Sequence, residues 1–516
     1  MLSLDGRPTI FKNGYQELAA ILTVMFAQTL NQAGTTQVLP LMNILETSFD
    51  NVTSNDKSWF MASFPLTSGA FILISGKFGD LYGLKRVMLY GIIWAAIWSL
   101  ISGLTFYSHN VIFFCISRSM SGIGLAFVLP NAIGVIGNCY PPGQRKALVF
   151  GAVGACAPFG ATMGAIFGGL TAHTRQWPWA FYAYTISLVI VGCLAFISIP
   201  DIKRQAPKEV TMDWLGALFG VVGLVLFNFS WNQAPAVGWK NPYILVLLIL
   251  GIFAIAAFFY VEKRVKYPLI PNEIMNLHLL LILSVVAFGW ASFGIWTFYY
   301  WCFALNLKDW TPTDTGLSYI TLLIFGIIAA FSVSIFIQRV KPSYILMFAT
   351  VGFFCGITML AVTPVNQSYY RMILGQMVIL SFGMDLSFPA SSLILSDNLP
   401  KKHQGMASSL VSTFINYSMS ISLGIAGTAE SEIFSKTQDI LKSYRAAMYV
   451  GIGFASLGVL FSFVLHIMSY VWNNVNKDFK DGHVDDKELN DSSKQDSNKV
   501  ILNNFETLDH EKVSES

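Results

Sequence analysis

Charge is what this sequence lacks. Lys, Arg, Asp and Glu make up 12% of its 516 residues, where soluble domains carry about 25%. So little charge cannot cover a water-facing surface, and it is what a lipid-facing one requires. Cysteine is scarce and scattered. Cys115, Cys139, Cys156, Cys193, Cys302 and Cys355 stand singly, with no CxxC pair and no Cys/His cluster. That argues against a metal site or a disulfide framework. The residues before position 18 hold no continuous apolar core and no small-residue cleavage site. No cleaved signal peptide is expected, and the first apolar span would itself act as the targeting signal. A Walker loop is missing too: Gly76-Lys77 is followed by Phe78, not Ser or Thr, which argues against ATP drive by this chain. The seven histidines lie mostly at loops or ends, so an intramembrane enzyme lacks its clustered acid–base groups. A receptor would need a long folded domain outside the apolar spans, and none is read.

What the sequence has is repetition. Apolar stretches of about 20 residues recur about fourteen times. A stretch of ~18 or more is long enough to cross a ~30 Å hydrocarbon core as a helix. The spans are expected at about 17–39, 58–76, 87–106, 111–138, 147–171, 179–199, 213–232, 242–261, 278–304, 314–337, 343–362, 370–396, 405–428 and 446–470. This is an all-α polytopic membrane protein. Its function narrows to moving something across a bilayer, sensing, or chemistry inside it.

Loop charge gives the orientation. Loops that follow even-numbered spans carry fifteen Lys and Arg, among them Lys77, Lys85, Arg86, Arg145, Lys203, Arg264, Arg339 and Lys401. Loops that follow odd-numbered spans carry eight. Lys and Arg concentrate on the cytosolic side, so both termini are expected in the cytosol. Asn51-Val52-Thr53 then faces outward as an N-glycan acceptor. Residues 473–516 are rich in Asp, Asn, Lys and Ser. Such a segment buries too little apolar surface to offset its ordering entropy, and a disordered cytosolic tail is expected.

Four motifs carry mechanism. The loop after the second span reads Gly76-Lys77-Phe78-Gly79-Asp80-Leu81-Tyr82-Gly83-Leu84-Lys85-Arg86. Its glycines permit a tight turn and close helix approach, and Asp80 can pair with a cation or a helix N-terminus. The fourth span holds Arg118-Ser119-Met120-Ser121-Gly122-Ile123-Gly124. An arginine inside a span is a functional candidate by default; the plainer reading is an Arg snorkelling to the outer interface. The fifth span places Ala152, Cys156, Gly160, Gly164 and Gly168 four residues apart on one face, with Pro158 bending it. Such a stripe lets backbones pack closely in lipid. The twelfth span holds Asp385 near its middle, with apolar sequence on both sides. A carboxyl that gains and loses a proton as a cavity alternates between faces is the minimal coupling device; the plainer reading is a protonated Asp hydrogen-bonded to a neighbouring helix.

Together these resemble the major facilitator superfamily. Gly76, Asp80, Gly83, Lys85 and Arg86 match its signature loop, although Leu81 and Leu84 stand where basic residues are usual. Arg118 with Gly122-Ile123-Gly124 is similar to its helix-4 pattern, in which the Arg contributes to proton coupling. Pro158 resembles the helix-5 antiporter motif, with Ala157 where Gly is usual. Trp177-Pro178-Trp179-Ala180-Phe181-Tyr182 and Asp213-Trp214-Leu215-Gly216 resemble the fourteen-helix drug:proton antiporter branch. Three further segments are similar to fungal aminotriazole-resistance and boron-efflux transporters and to relatives described as low-affinity ammonium transporters. These are 227–239, 382–390 and 404–410.

The resemblance implies two six-helix halves, 17–199 and 278–472, with a two-helix insert, 200–277, between a cytosolic N-terminus, 1–16, and the tail, 473–516. It implies substrate held near the midplane between inverted repeats, and proton-coupled export of small toxic solutes at a plasma membrane. A vacuolar membrane is the alternative site, and a low-affinity facilitator of ammonium or another small solute the alternative function. Expected partners are a small-molecule substrate, protons and the bilayer, with no nucleic acid, cofactor or metal; the chain is expected to be a monomer. Many members of the wider branch place an acid in the first span. Here Gln28, Asn31, Gln32 and Thr35 share one face instead, which favours a small polar or uncharged solute. Asn232, Gln233, Trp290, Trp296, Tyr299, Asn416 and Tyr417 are further lining candidates, though packing is the commoner role for any one of them.

Overall fold

Hydrocarbon offers no hydrogen-bond partner, so a spanning backbone must satisfy itself, and a helix does so within one segment. The structure is a computed structural model. It describes residues 8–50, 52, 56–141, 144–202, 207, 209–270, 275–336, 339–398 and 404–468. Asn51, Lys203, Arg204, Lys208, Lys401, Lys402 and the 473–516 tail lie outside the described residues.

Fourteen long helices match the expected spans: α1 Gly14–Thr36, α2 Lys57–Tyr82, α3 Leu84–Leu104, α4 Val111–Cys139, α5 Gln144–His173, α6 Pro178–Ser198, α7 Trp214–Val237, α8 Pro242–Glu262, α9 Leu277–Asn306, α10 Pro312–Phe336, α11 Pro342–Val362, α12 Leu374–Asn398, α13 Gln404–Thr437 and α14 Ile440–Met468. No strand occurs among the described residues. Thirteen of the helices are long and apolar enough to cross a membrane. The exception is α1, whose Thr, Gln and Asn side chains lower its hydropathy; its Thr23, Thr29, Asn31, Thr35 and Thr36 are buried within the bundle instead.

The sequence starts these helices with recognisable caps. Asn13, Asn110, Asp213 and Asn276 accept from the backbone N–H three residues on, at 2.7–3.1 Å. A cap of this kind contributes about 1 kcal/mol. The acid of Asp213-Trp214-Leu215-Gly216 is thus the N-cap of α7. Gly83, at φ +99°, lets α2 end and α3 begin within one residue; a side chain is rarely tolerated there.

Packing repeats along the chain. In the first six helices, α1 lies on α5, α2 and α3 lie on α4, and α3 lies on α6. In the last six, α9 lies on α13, and α10 and α11 lie on α12. There α14 meets α11 through Gly451 against Ile357 and a Thr350–Ser462 hydroxyl bond of 3.0 Å. The two halves meet at α2 with α13 and at α5 with α10. Each contact becomes the other when the halves are exchanged. The insert, α7 and α8, packs on α13 and on α2. This description covers the unit up to Ser462; the last residues of α14, from Phe463, fall in a second unit.

Two ends of the bundle can be told apart. One carries Lys57 and the α1–α2 connection, and is called here the Lys57 face. The other carries the α2–α3 turn and is the Gly83 face.

Candidate functional site

Arg118 is only 1% exposed, so it does not snorkel to water. Its Nη1 donates to the Gly34 carbonyl of α1 at 2.8 Å. The guanidinium carbon lies 4.9 Å from the Phe64 ring centre and 5.8 Å from that of Phe181. Desolvated cation–π contacts contribute about 2 kcal/mol, which offsets part of the burial cost. No carboxylate among the described residues pairs with it, and Nε and Nη2 have no hydrogen-bond partner there. Gly34 makes the approach possible. A Cβ at that position would stand 2.6 Å from Tyr184 Oη and 2.9 Å from the Phe64 ring.

Asp385 sits midway along α12. Its Oδ2 is buried and accepts from no described residue. It faces the seam between the halves. A Cβ built on Gly326 of α10 would stand 2.7 Å from Asp385 Oδ2 and 2.7 Å from Pro158 Cβ of α5. Two features read separately in the sequence, the acid and the helix-5 proline, therefore meet at one glycine. Proline has no N–H, so Pro158 leaves the Gly154 carbonyl without its helical donor.

The stripe on α5 packs against α1. Gly160 lies against the Thr29 backbone, Gly164 against Ala33 and Thr36, and Gly168 against Gln37. A neighbouring face of α5 meets α10, where the Thr162 hydroxyl donates to the Tyr319 carbonyl at 3.0 Å. Asn31 and Thr35 are buried and Gln28 and Gln32 half-buried. Gln28 Oε1 is buried without a partner among the described residues.

Other sequence candidates hold helices together. Asn232 donates to Asn228 Oδ1 at 2.6 Å and to the Ser420 carbonyl at 3.1 Å, tying α7 to α13. Trp59 Nε1 donates to Gln233 Oε1 at 2.9 Å, tying α2 to α7. Trp290 bonds Ser387 at 3.1 Å, and the Tyr417 hydroxyl donates to the Leu224 carbonyl at 3.0 Å. Trp296 is fully buried, donates to Gln376 Oε1 at 2.7 Å and stacks on Tyr300. Asn416 donates within its own helix to Ser412 at 3.0 Å.

In the signature loop Asp80 is exposed, Lys85 lies 5.6 Å from the Phe196 ring centre, and Arg86 is exposed. Lys77, read in the sequence only as a topology charge, is the anchored residue. Its ammonium donates to the carbonyls of Tyr267 and Pro268 at 2.7 and 2.6 Å, in the segment that leaves α8. Glu262 holds the same segment by accepting from Leu269 N and Ile270 N at 3.1 and 2.9 Å.

The Lys57 face carries a second polar network that the sequence did not single out. Lys57 pairs with Glu46 at 2.6 Å. Asn43 donates to Asn306 of α9 at 2.8 Å, and Asn306 donates to Tyr444 of α14 at 2.8 Å. Tyr299 of α9 donates to Glu430 of α13 at 2.6 Å. Glu430 lies two residues past the expected end of the thirteenth span, so hydropathy does not mark it as an intramembrane acid.

Comparison with known proteins agrees with this architecture. Residues 24–423 match the model of the Major Facilitator Superfamily. The chain is 50% identical over 469 residues to the aminotriazole resistance protein of Saccharomyces cerevisiae, covering 90% of this chain and 86% of that protein. It is 38% identical to the low affinity ammonium transporter of the same yeast, covering 92% of each. With efflux pump terJ of Aspergillus terreus it shares 36% identity over 87% of this chain and 88% of that pump. Among solved structures, a POT family transporter in complex with a thioalcohol-conjugated peptide superposes with a TM-score of 0.64 at 12% identity. That match covers 88% of this chain and 96% of the other, a likeness of fold. The chain is a multi-pass membrane transporter, not an enzyme, and it belongs to the Major Facilitator Superfamily.

Proposed function

We propose that the chain exports a small polar or uncharged toxic solute in exchange for protons, by alternating access between its two halves. The observation that carries this reading is Asp385. Its buried oxygen, without a partner among the described residues, lies where α12, Gly326 of α10 and Pro158 of α5 converge. A carboxyl at the seam feels any rocking of one half against the other, so its protonation and the access state are linked. The polar face of α1 supplies neutral groups for the solute. Both termini are cytosolic by loop charge, which puts the Lys57 face outside, and a fungal plasma membrane is the expected setting.

Vesicles with an imposed pH gradient test this, loaded in turn with boric acid, aminotriazole and ammonium. Accumulation driven by the gradient and abolished by a protonophore is the expected result. Flux that ignores the gradient would instead support a downhill facilitator, a reading favoured by the likeness to the low affinity ammonium transporter.

A further inference from the structure

At the Lys57 face a cavity of about 40 Å³ lies between Lys57 and Ser58 of α2, Pro235 of α7, Cys302 of α9, Glu430 of α13 and Tyr444 of α14. Its lining is about half polar, and it is large enough for one or two waters. Its walls come from both halves and the insert, so a change of charge there acts on the seam itself. The ionisable groups facing it are few. Lys57 comes from the first half, already paired with Glu46 of the short helix Met42–Ser48. Glu430, Cys302 and Tyr444 come from the second half, and Tyr299 binds the Glu430 carboxylate from behind.

We propose that Glu430 is a proton-binding site that sets whether this end of the seam is closed. Ionised, the carboxylate faces the Lys57 ammonium across the cavity and holds the halves together. When it takes a proton from water in the cavity, the carboxyl becomes neutral and that attraction is lost. Tyr299 keeps the group in place in both states, accepting or donating through its hydroxyl. Under the export reading the Lys57 face is outside, so external protons reach Glu430 before any group deeper in the seam. The assignment deepens that reading and rests on it for the direction only.

The cavity carries its own reporter, the Cys302 thiol, which is buried in the closed seam. Purified full-length protein is treated with a small thiol reagent at about pH 3.5 and about pH 8, on either side of the ordinary glutamate pKa of about 4.3. Modification of the Cys302 peptide is followed by mass spectrometry. The rate in Glu430→Gln divided by the wild-type rate cancels the thiol's own pH dependence. The expected ratio is near one at the lower pH, where Glu430 is already neutral, and several-fold above one at the higher pH. A ratio that is the same at both would make Glu430 a purely structural contact and overturn the proposal. Lys57→Gln removes the opposite charge; the same pair of ratios is expected, and serves if Glu430→Gln does not yield folded protein. Transport plays no part in this readout. A wild type that ignores pH gradients would sink the export reading and leave the Glu430 result standing.

Discussion

Arg118 and Asp385 occupy equivalent helices of the two halves, α4 and α12, yet their surroundings differ. Arg118 stands seven residues into its helix, roughly 10 Å from the start; its cation is met by a carbonyl and two ring faces. Asp385 stands eleven residues into α12, roughly 16 Å along, with a buried oxygen and no donor among the described residues. The first arrangement suits a charge that is always present. The second suits a group that changes state, since burying a lone charge costs far more than burying a neutral carboxyl. Each group is faced by one glycine, Gly34 or Gly326, that keeps room beside it.

The largest effect is expected at Asp385. Asp385→Asn should abolish uphill transport while substrate exchange persists, because the amide imitates the protonated state and cannot cycle. Vesicle uptake with and without a gradient checks this; gradient-driven accumulation at the wild-type level would remove Asp385 from the mechanism.

Arg118→Lys comes next. The charge is kept, but the planar fork and its stacking are not. Losing about 2 kcal/mol of such contacts in the rate-limiting step corresponds to roughly thirtyfold in rate. Initial rates of the purified variant decide it, and a rate within a factor of two of wild type would show that charge alone suffices.

The two glycines sharpen the contrast. Gly326→Ala and Gly34→Ala should each cost about 1–3 kcal/mol by overpacking. Only Gly326→Ala presses on Asp385, so it alone should change the gradient dependence of transport. Equal effects of both on that dependence would count against a special role for the seam.

The smallest effect is expected at the loop. Lys77→Met frees the segment after α8 and should lower stability by roughly 1 kcal/mol, a melting shift of a few degrees at most. Asp80 forms no ion pair among the described residues, so Asp80→Asn should slow transport without a comparable melting shift. Scanning fluorimetry beside vesicle uptake separates the two.

Hydropathy made the spans legible, because lipid demands length and apolarity from every crossing helix. It could not say which way each helix turns. In lipid both the buried and the exposed face are apolar, so the sequence carries little rotational signal. Residue type alone marks Asn232, Gln233 and Trp296 as lining candidates and gives no sign of the bonds they make between helices. The meeting of Asp385, Gly326 and Pro158 spans more than 220 positions and has no local sign. Glu430 was hidden by a boundary: α13 runs on to Thr437, past the apolar run that defined its span.

Among the described residues, helix α1 is the one long helix that composition does not mark as membrane-crossing. Other polar side chains of α1 are covered by α5 and α6: Thr36 donates to the Ala161 carbonyl at 2.9 Å and Thr23 bonds Ser198 at 3.0 Å. During biogenesis α1 therefore depends on helices made more than a hundred residues later. Truncated chains ending before α5 should hold α1 in the membrane poorly, and it should settle only once those helices have arrived.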